Sequence, residues 1–339
     1  NNAGINILSD IASLNDEKFD TMMNINLKAP LKLIQEVSKK MIANHLPELK
    51  ELQHQHGVSF LYEASVAGSI PIIRNLEEYY DNDFLHAFTG IINGSTNFIL
   101  TRMNENKISY EEALTLAQHE GFAESNPALD VKGIDACNKL CILLQHTFGL
   151  YAKPNELLYT GITNLKSQDA SFATEKNYTI KLLARAICAE NNRIHAFVLP
   201  HFISNTHALS KVHNEYNGVL LSSTLSDQQF MVGKGAGRYP TASAVLSDIS
   251  SLRYQYKYEY RKSQSSISYH LENNFMLKVY VNFTNSKNPI STEAFSHVYE
   301  KLESMRKRYI IGDISTTKLQ ELGWLNDDSI SVIAFYEDR

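Results

Sequence analysis

The chain has 339 residues, 43% of them hydrophobic and 20% charged, which is enough for two or three packed domains of an ordinary globular protein. A formal charge of −5 and a pI near 6.2, with no basic run interleaved with aromatics, exclude the positive field that grips nucleic acid. No apolar run reaches the roughly 18 residues of a membrane helix and Asn1 to Asp10 lack the zones of a signal peptide, so no membrane association and a cytoplasmic location are expected, with Cys137, Cys141 and Cys188 as reduced thiols.

The character of the sequence changes near Ser38 and again near Arg253, dividing it into residues 1–38, 39–252 and 253–339. The first segment opens on the turn-forming Asn1-Asn2-Ala3-Gly4 and continues with Phe19, Met22, Met23, Ile25 and Leu27 at helical intervals. It is too short to bury a core alone. In the middle segment, predicted strands (Ser59 to Tyr62, Leu85 to Asn93, Arg193 to Leu199, Gly218 to Ser222) alternate with predicted helices (Tyr110 to His119, Gly133 to Phe148, Asn177 to Ala189). That alternation indicates an α/β fold. The last segment starts in a polar connector, Tyr254 to Ser268, and then reads strand, helix, strand, helix, strand. Leu277, Val279, Val281 and Phe283 alternate as a half-buried strand, Ala294, Phe295, Val298, Leu302 and Met305 follow helical spacing, and Ile330, Val332 and Ala334 close the chain as a strand.

Chemistry concentrates between Gly121 and Lys139, where Glu124, Asp130, Asp135 and Lys139 surround one helix start. Asp135 and Lys139 are four apart on a helix predicted to begin after Gly133, so they share a face. A carboxylate there can fix the ammonium group, and a dry pocket can lower the lysine pKa until it exchanges protons with a carbonyl oxygen. The same spacing also describes an ordinary surface ion pair. Three other stretches carry weaker signals. Tyr62 to Ile73 reads as a strand entering a loop of small residues, whose carbonyls and Glu63 carboxylate suit a hard monovalent cation or simply make a tight turn. Gly90 to Asn97 is a strand leading to a helix start able to receive an anion or to be capped. Gly233 to Val245 is a glycine loop opening into a Pro-containing helix, suited to close approach of a cofactor.

Together, Tyr62 to Ile73, Gly90 to Met103, Gly121 to Gly149 and Gly233 to Ile249 resemble the catalytic region of homoserine dehydrogenase, over residues 39–252. The resemblance implies an α/β catalytic domain with an open mixed sheet, oxidation of L-homoserine to L-aspartate 4-semialdehyde with NADP or NAD, a role in threonine, methionine and isoleucine synthesis, and a homodimer. Carried over by position, Lys139 matches the proton donor and acceptor with Asp135 beside it. Glu124, Asp130 and Lys39 match substrate-binding positions, although Ser38 stands where the family has asparagine before that lysine. Glu63 with the carbonyls of Val66, Gly68 and Ile70 matches a sodium-binding loop, and Gly237 with Gly235 a cofactor-approaching loop.

The family's Gly-x-Gly-x-x-Gly turn, which seats the pyrophosphate, is not found, so an incomplete Rossmann-type nucleotide-binding part and weakened cofactor binding are expected. Residues 1–37 resemble instead a fragment of a short-chain dehydrogenase, with Asn26 at that family's asparagine. The Tyr258 and Lys262 pair has the Tyr-x-x-x-Lys spacing but no suitable serine before it. Alternatives to the main reading are thus a short-chain dehydrogenase-type oxidoreductase or an inactive binding protein. Residues 275–338 resemble in element order a small ferredoxin-like module, either regulatory, as for feedback by an amino acid, or structural.

Overall fold

The computed structural model describes residues 29–81, 84–284, 290–304 and 307–337, with the backbone alone for 29–38. The Asn1-Asn2-Ala3-Gly4 turn, the helical pattern of Phe19 to Leu27, and Asn26 lie outside the described residues. In chain order the helices are α1 (Ala29–His56), α2 (Ile72–Glu78), α3 (Gly94–Asn106), α4 (Tyr110–His119), α5 (Ala128–Val131), α6 (Ile134–Phe148), α7 (Ser167–Glu175), α8 (Arg238–Leu252) and α9 (Thr316–Glu321). The strands are β1 (Leu85–Ile91), β2 (Leu158–Tyr159), β3 (Tyr178–Cys188), β4 (Arg193–Ser204), β5 (Tyr216–Ser223), β6 (Asp227–Lys234), β7 (His270–Leu271), β8 (Met276–Asn282), β9 (His297–Glu303), β10 (Arg308–Ser315) and β11 (Ser331–Phe335).

All these strands belong to one open mixed sheet in the order β6-β5-β1-β3-β4-β11-β8-β10-β9, with β2 and β7 pairing β4 off that path. Neighbours along the path are antiparallel except β4 and β11, which pair in parallel through Ala334 to His201 and Phe335 to Phe202. The expected α/β class with an open mixed sheet is thus what the chain forms. The C-terminal strands run β11-β8-β10-β9, the antiparallel order of a ferredoxin-like unit, and the β4 and β11 pairing makes their sheet continuous with that of the middle segment.

Three predicted elements differ. Asn177 to Ala189 was expected as a helix and is β3, because this strand is buried on both faces from Thr179 to Ile187 and so loses the alternation that marks a half-exposed strand. Its Leu and Ala residues favour helix locally, and burial between β1 and β4 overrides that preference. The helix expected over Ala294 to Met305 is a 3-10 turn (Thr292–Ala294) followed by edge strand β9, whose alternating exposure matches a period of two. Ser59 to Tyr62, expected as a strand, has no regular structure and leads into a 3-10 turn (Glu63–Ser65). The connector Tyr254 to Ser268 is also less polar in place than in sequence: Tyr258 and Tyr260 are buried and ring-packed on His146 and Tyr62.

The element that positions the site is α6. It is apolar almost all round and runs between the sheet and α1 and α2, so it is buried on nearly every side. Gly133 starts it at φ 79°, where a Cβ would lie 2.7 Å from the Thr160 carbonyl oxygen, so glycine is required both for conformation and for space. At the other end Gly149, at φ 66°, donates to Gln145 while Leu150 donates to Leu144, a glycine-closed helix end. α1 bends at His45 because Pro47 removes a helical donor and crowds the preceding turn. On either side of the bend, Ile42, Ala43 and Leu46 enter the main core, and before it Lys39 faces the start of α6.

Candidate active site

Lys139 sits one turn after Asp135 on α6, and both side chains are buried, 8% and 6% exposed. Lys139 Nζ lies 2.6 Å from Asp135 Oδ2 and donates to the Ile92 carbonyl at 2.8 Å. Lys39 Nζ reaches the other carboxylate oxygen, Asp135 Oδ1, at 2.6 Å from 96 residues away. One carboxylate therefore holds two ammonium groups, which a surface pair would not do. Asn93, at the end of β1, joins the next acid: its Nδ2 donates to Asp130 Oδ1 at 2.6 Å and to Asp135 Oδ2 at 2.9 Å. With two carboxylates and two ammonium groups, the cluster is neutral when all four are charged.

The electrostatics follow from burial and these partners. Burial pushes the Asp135 carboxyl up, but the ammonium groups of Lys139 and Lys39 outweigh it and hold the group well below the ordinary carboxylate range. Its place in the first turn of α6 adds the favourable end of the helix dipole. Burial lowers the Lys139 ammonium from its ordinary value, with Lys39 acting in the same direction and Asp135 against it. Asp130 is raised, first by burial and then by the charge of Asp135. A lysine made easier to deprotonate, beside a carboxylate that stays ionised, is suited to passing a proton to and from a substrate oxygen.

The structure thus brings Lys139, Asp135, Asp130 and Lys39 into one hydrogen-bonded group. Glu124 stands on the exposed turn between α4 and α5, where its carbonyl accepts from Gln118. Asn93 was read from sequence only as part of a helix start, and its capping role is real: Oδ1 accepts the Thr96 N–H at 2.9 Å. Its contact with the two acids had no signal in the sequence, since it depends on which way the amide faces.

The Glu63 carboxylate, expected beside a sodium ion, is turned toward the start of α2. Its Oε1 and Oε2 accept the N–H groups of Ile73 and Arg74, each at 2.9 Å, closing the first turn of α2. Burial pushes this carboxyl up to about 7, with the Asp248 charge adding to the rise. In the same loop the Ile70 carbonyl accepts from Ile72, while Val66 and Gly68 flank the left-handed Ala67. Among the described residues no group of acidic, His or Cys side chains could hold a metal.

The glycine loop divides in two. A Cβ on Gly235 would lie 2.2 Å from Asn217 Oδ1, so packing requires glycine there. Gly237, at φ 122°, would meet only the Pro240 ring, at 3.6 Å, and leaves an open approach at the start of α8. The Asn217 amide beneath this loop is fully buried with no hydrogen-bond partner for either polar atom. An open glycine at a helix start, two residues from the glycine that covers an unsatisfied amide, fits the approach of a polar cofactor group. Tyr258 and Lys262 are not a catalytic pair: Tyr258 is buried among aromatic rings, and Lys262 Nζ donates to the Leu76 carbonyl. Cys137 and Cys141 are buried free thiols, and Cys188 is half-buried and free. No helix among the described residues is long and apolar enough to cross a membrane.

Comparison with known proteins places this geometry in context. The family model for homoserine dehydrogenase matches residues 71–250, and that for short chain dehydrogenase matches residues 1–48. A homoserine dehydrogenase of Synechocystis sp. is 38% identical over 218 residues, covering 63% of this chain and 50% of the relative. The crystal structure of a homoserine dehydrogenase from Thiobacillus denitrificans superposes with a TM-score of 0.74 at 25% identity, over 88% of this chain and 75% of that one. A hyperthermophilic archaeal homoserine dehydrogenase in complex with NADPH matches at 28% identity with a TM-score of 0.55, over 64% of this chain and 62% of that one. The chain spans about half the length of the first curated relatives it matches.

Proposed function

We propose, from the premise that this chain belongs to the homoserine dehydrogenase family, that it interconverts L-homoserine and L-aspartate 4-semialdehyde, a step of threonine, methionine and isoleucine synthesis. The observation that carries the reading is the buried Asp135 carboxylate bridging Lys139 and Lys39, each at 2.6 Å. Lys139 moves the proton of the C4 oxygen, Asp135 keeps its ammonium aligned, and Lys39 and Asp130 orient the substrate with the exposed Glu124 at the rim. NADP or NAD, when bound, supplies or takes up the hydride, and Gly237 is the residue of this chain that would let it approach. The Val66 and Gly68 carbonyls are the donors that would remain for a sodium ion, and no step is assigned to it.

A cytoplasmic homodimer acting on a small molecule completes the reading. Exposed apolar side chains on edge strand β6 (Phe230, Val232) and on α8 (Leu246, Ile249) support a second subunit there, which sedimentation at several concentrations tests. The decisive assay is oxidation of NADPH with aspartate semialdehyde. Turnover by the wild type and its loss in Lys139→Ala is the expected result; a folded wild type with no turnover and no homoserine binding overturns the reading.

A further inference from the structure

We propose that Asn93, at the junction of β1 and α3, is a positioning residue that sets Asp130 and Asp135 relative to Lys139. The inference rests on the reading of Lys139 as the proton-carrying group. Three bonds converge on one side-chain amide: Oδ1 accepts from Thr96 N at 2.9 Å, while Nδ2 donates to Asp130 at 2.6 Å and Asp135 at 2.9 Å. An amide presents its acceptor and its donors in opposite directions, so the cap on α3 decides the flip. With Oδ1 committed to Thr96, both amide hydrogens must face the carboxylates.

This matters because two carboxylates in one site repel, and one takes up a proton unless donors or cations lie between them. The two lysines both lie on Asp135. The donor on Asp130 is Asn93, and its bond opposes the upward push of burial and of Asp135. The preceding residue completes the frame, since the Ile92 carbonyl accepts from Lys139 Nζ at 2.8 Å. Two consecutive residues at the end of one strand therefore hold both acids and the lysine, on a backbone fixed by β1 and α3.

The test separates capping from positioning. Asn93→Ser and Asn93→Asp keep an acceptor for the Thr96 N–H without the paired amide donors, and Asn93→Ala keeps neither. Homoserine affinity is measured by calorimetry, and the midpoint of Lys139 Nζ by NMR titration of lysine-labelled protein. Asn93→Ser is expected to melt close to the wild type yet bind homoserine roughly tenfold or more weakly, the effect of one lost charge-assisted bond. Its Lys139 midpoint shifts from the wild-type value, and in Asn93→Asp it moves up, where a third carboxylate faces the ammonium. Asn93→Ala adds a lower Tm to the same loss. If Asn93→Ser and Asn93→Asp match the wild type in both affinity and Lys139 titration, Asn93 is a cap and nothing more. A wild type that binds no homoserine defeats the functional reading, while the Lys139 titration across the variants still decides the part played by Asn93.

Discussion

Asp135 and Asp169 are both buried aspartates that accept from an asparagine side chain, and they respond to burial in opposite ways. Asp135 also faces two ammonium groups, and its carboxyl is held below the ordinary range. Asp169 accepts from neutral donors, Asn282 Nδ2 at 2.6 Å, Ser331 Oγ at 2.7 Å and the Lys166 N–H at 2.8 Å, and the Lys166 charge acts on it more weakly than these bonds. Burial raises its carboxyl, and those bonds only limit the rise. The first carboxylate holds two cations, in the place where the proposed function needs a proton passed. The second ties the start of α7 to β8 and β11 in the C-terminal part of the sheet. Burial and hydrogen bonding alone therefore do not mark a catalytic acid; the charge of its partners does.

The largest effect that would break this comparison is at Asp135. Asp135→Asn leaves Lys39 and Lys139 without a shared counter-charge, and turnover with aspartate semialdehyde and NADPH is expected to fall by on the order of a hundredfold or more. Wild-type rates in that variant would reclassify Asp135 as scaffold, alongside Asp169. Asp169→Ala is expected to do the reverse. It strands three buried donors and costs roughly 4 kcal/mol of stability in urea unfolding, with homoserine affinity unchanged. Affinity falling in step with stability would instead mean that the C-terminal sheet communicates with the site.

How much of this was legible in the sequence depended on distance along the chain. Asp135 and Lys139 are one helical turn apart, and the apolar period of α6 with its bounding glycines was enough to put them on one face. Lys39 comes from 96 residues away and entered only through family resemblance. Asp169, Asn282 and Ser331 belong to three separate elements, so no local pattern could announce their meeting. β3 was misread for a related reason: a central strand buried on both faces has no period to betray it, and its partners lie outside any local window. Glu63 was placed correctly beside a loop of small residues, but nothing in its spacing shows that the carboxylate turns toward α2 rather than toward an ion.

Glu63 also supplies a smaller test, in which pH separates the two kinds of buried acid. A carboxyl whose folded pKa is raised binds more protons folded than unfolded over the interval, so stability falls as pH rises through it. For Glu63 that interval runs from 4.5 to about 7. Its contribution is complete below pH 4.5 and gone above about pH 7, a change of about 3 kcal/mol. Asp169 acts with the same sign, from 3.8 upward. Asp135 acts with the opposite sign: its folded pKa lies below 3.8, so its contribution is present above that pH and lost as pH falls. Glu63→Gln keeps one acceptor for the first turn of α2 and removes the titration. Urea unfolding at a series of pH values is then expected to show a flatter decline between pH 4.5 and 7 in the variant than in the wild type. Equal slopes in the two proteins would mean that Glu63 keeps an ordinary carboxylate pKa, and with it the capacity to meet a cation that its bonds to Ile73 and Arg74 argue against.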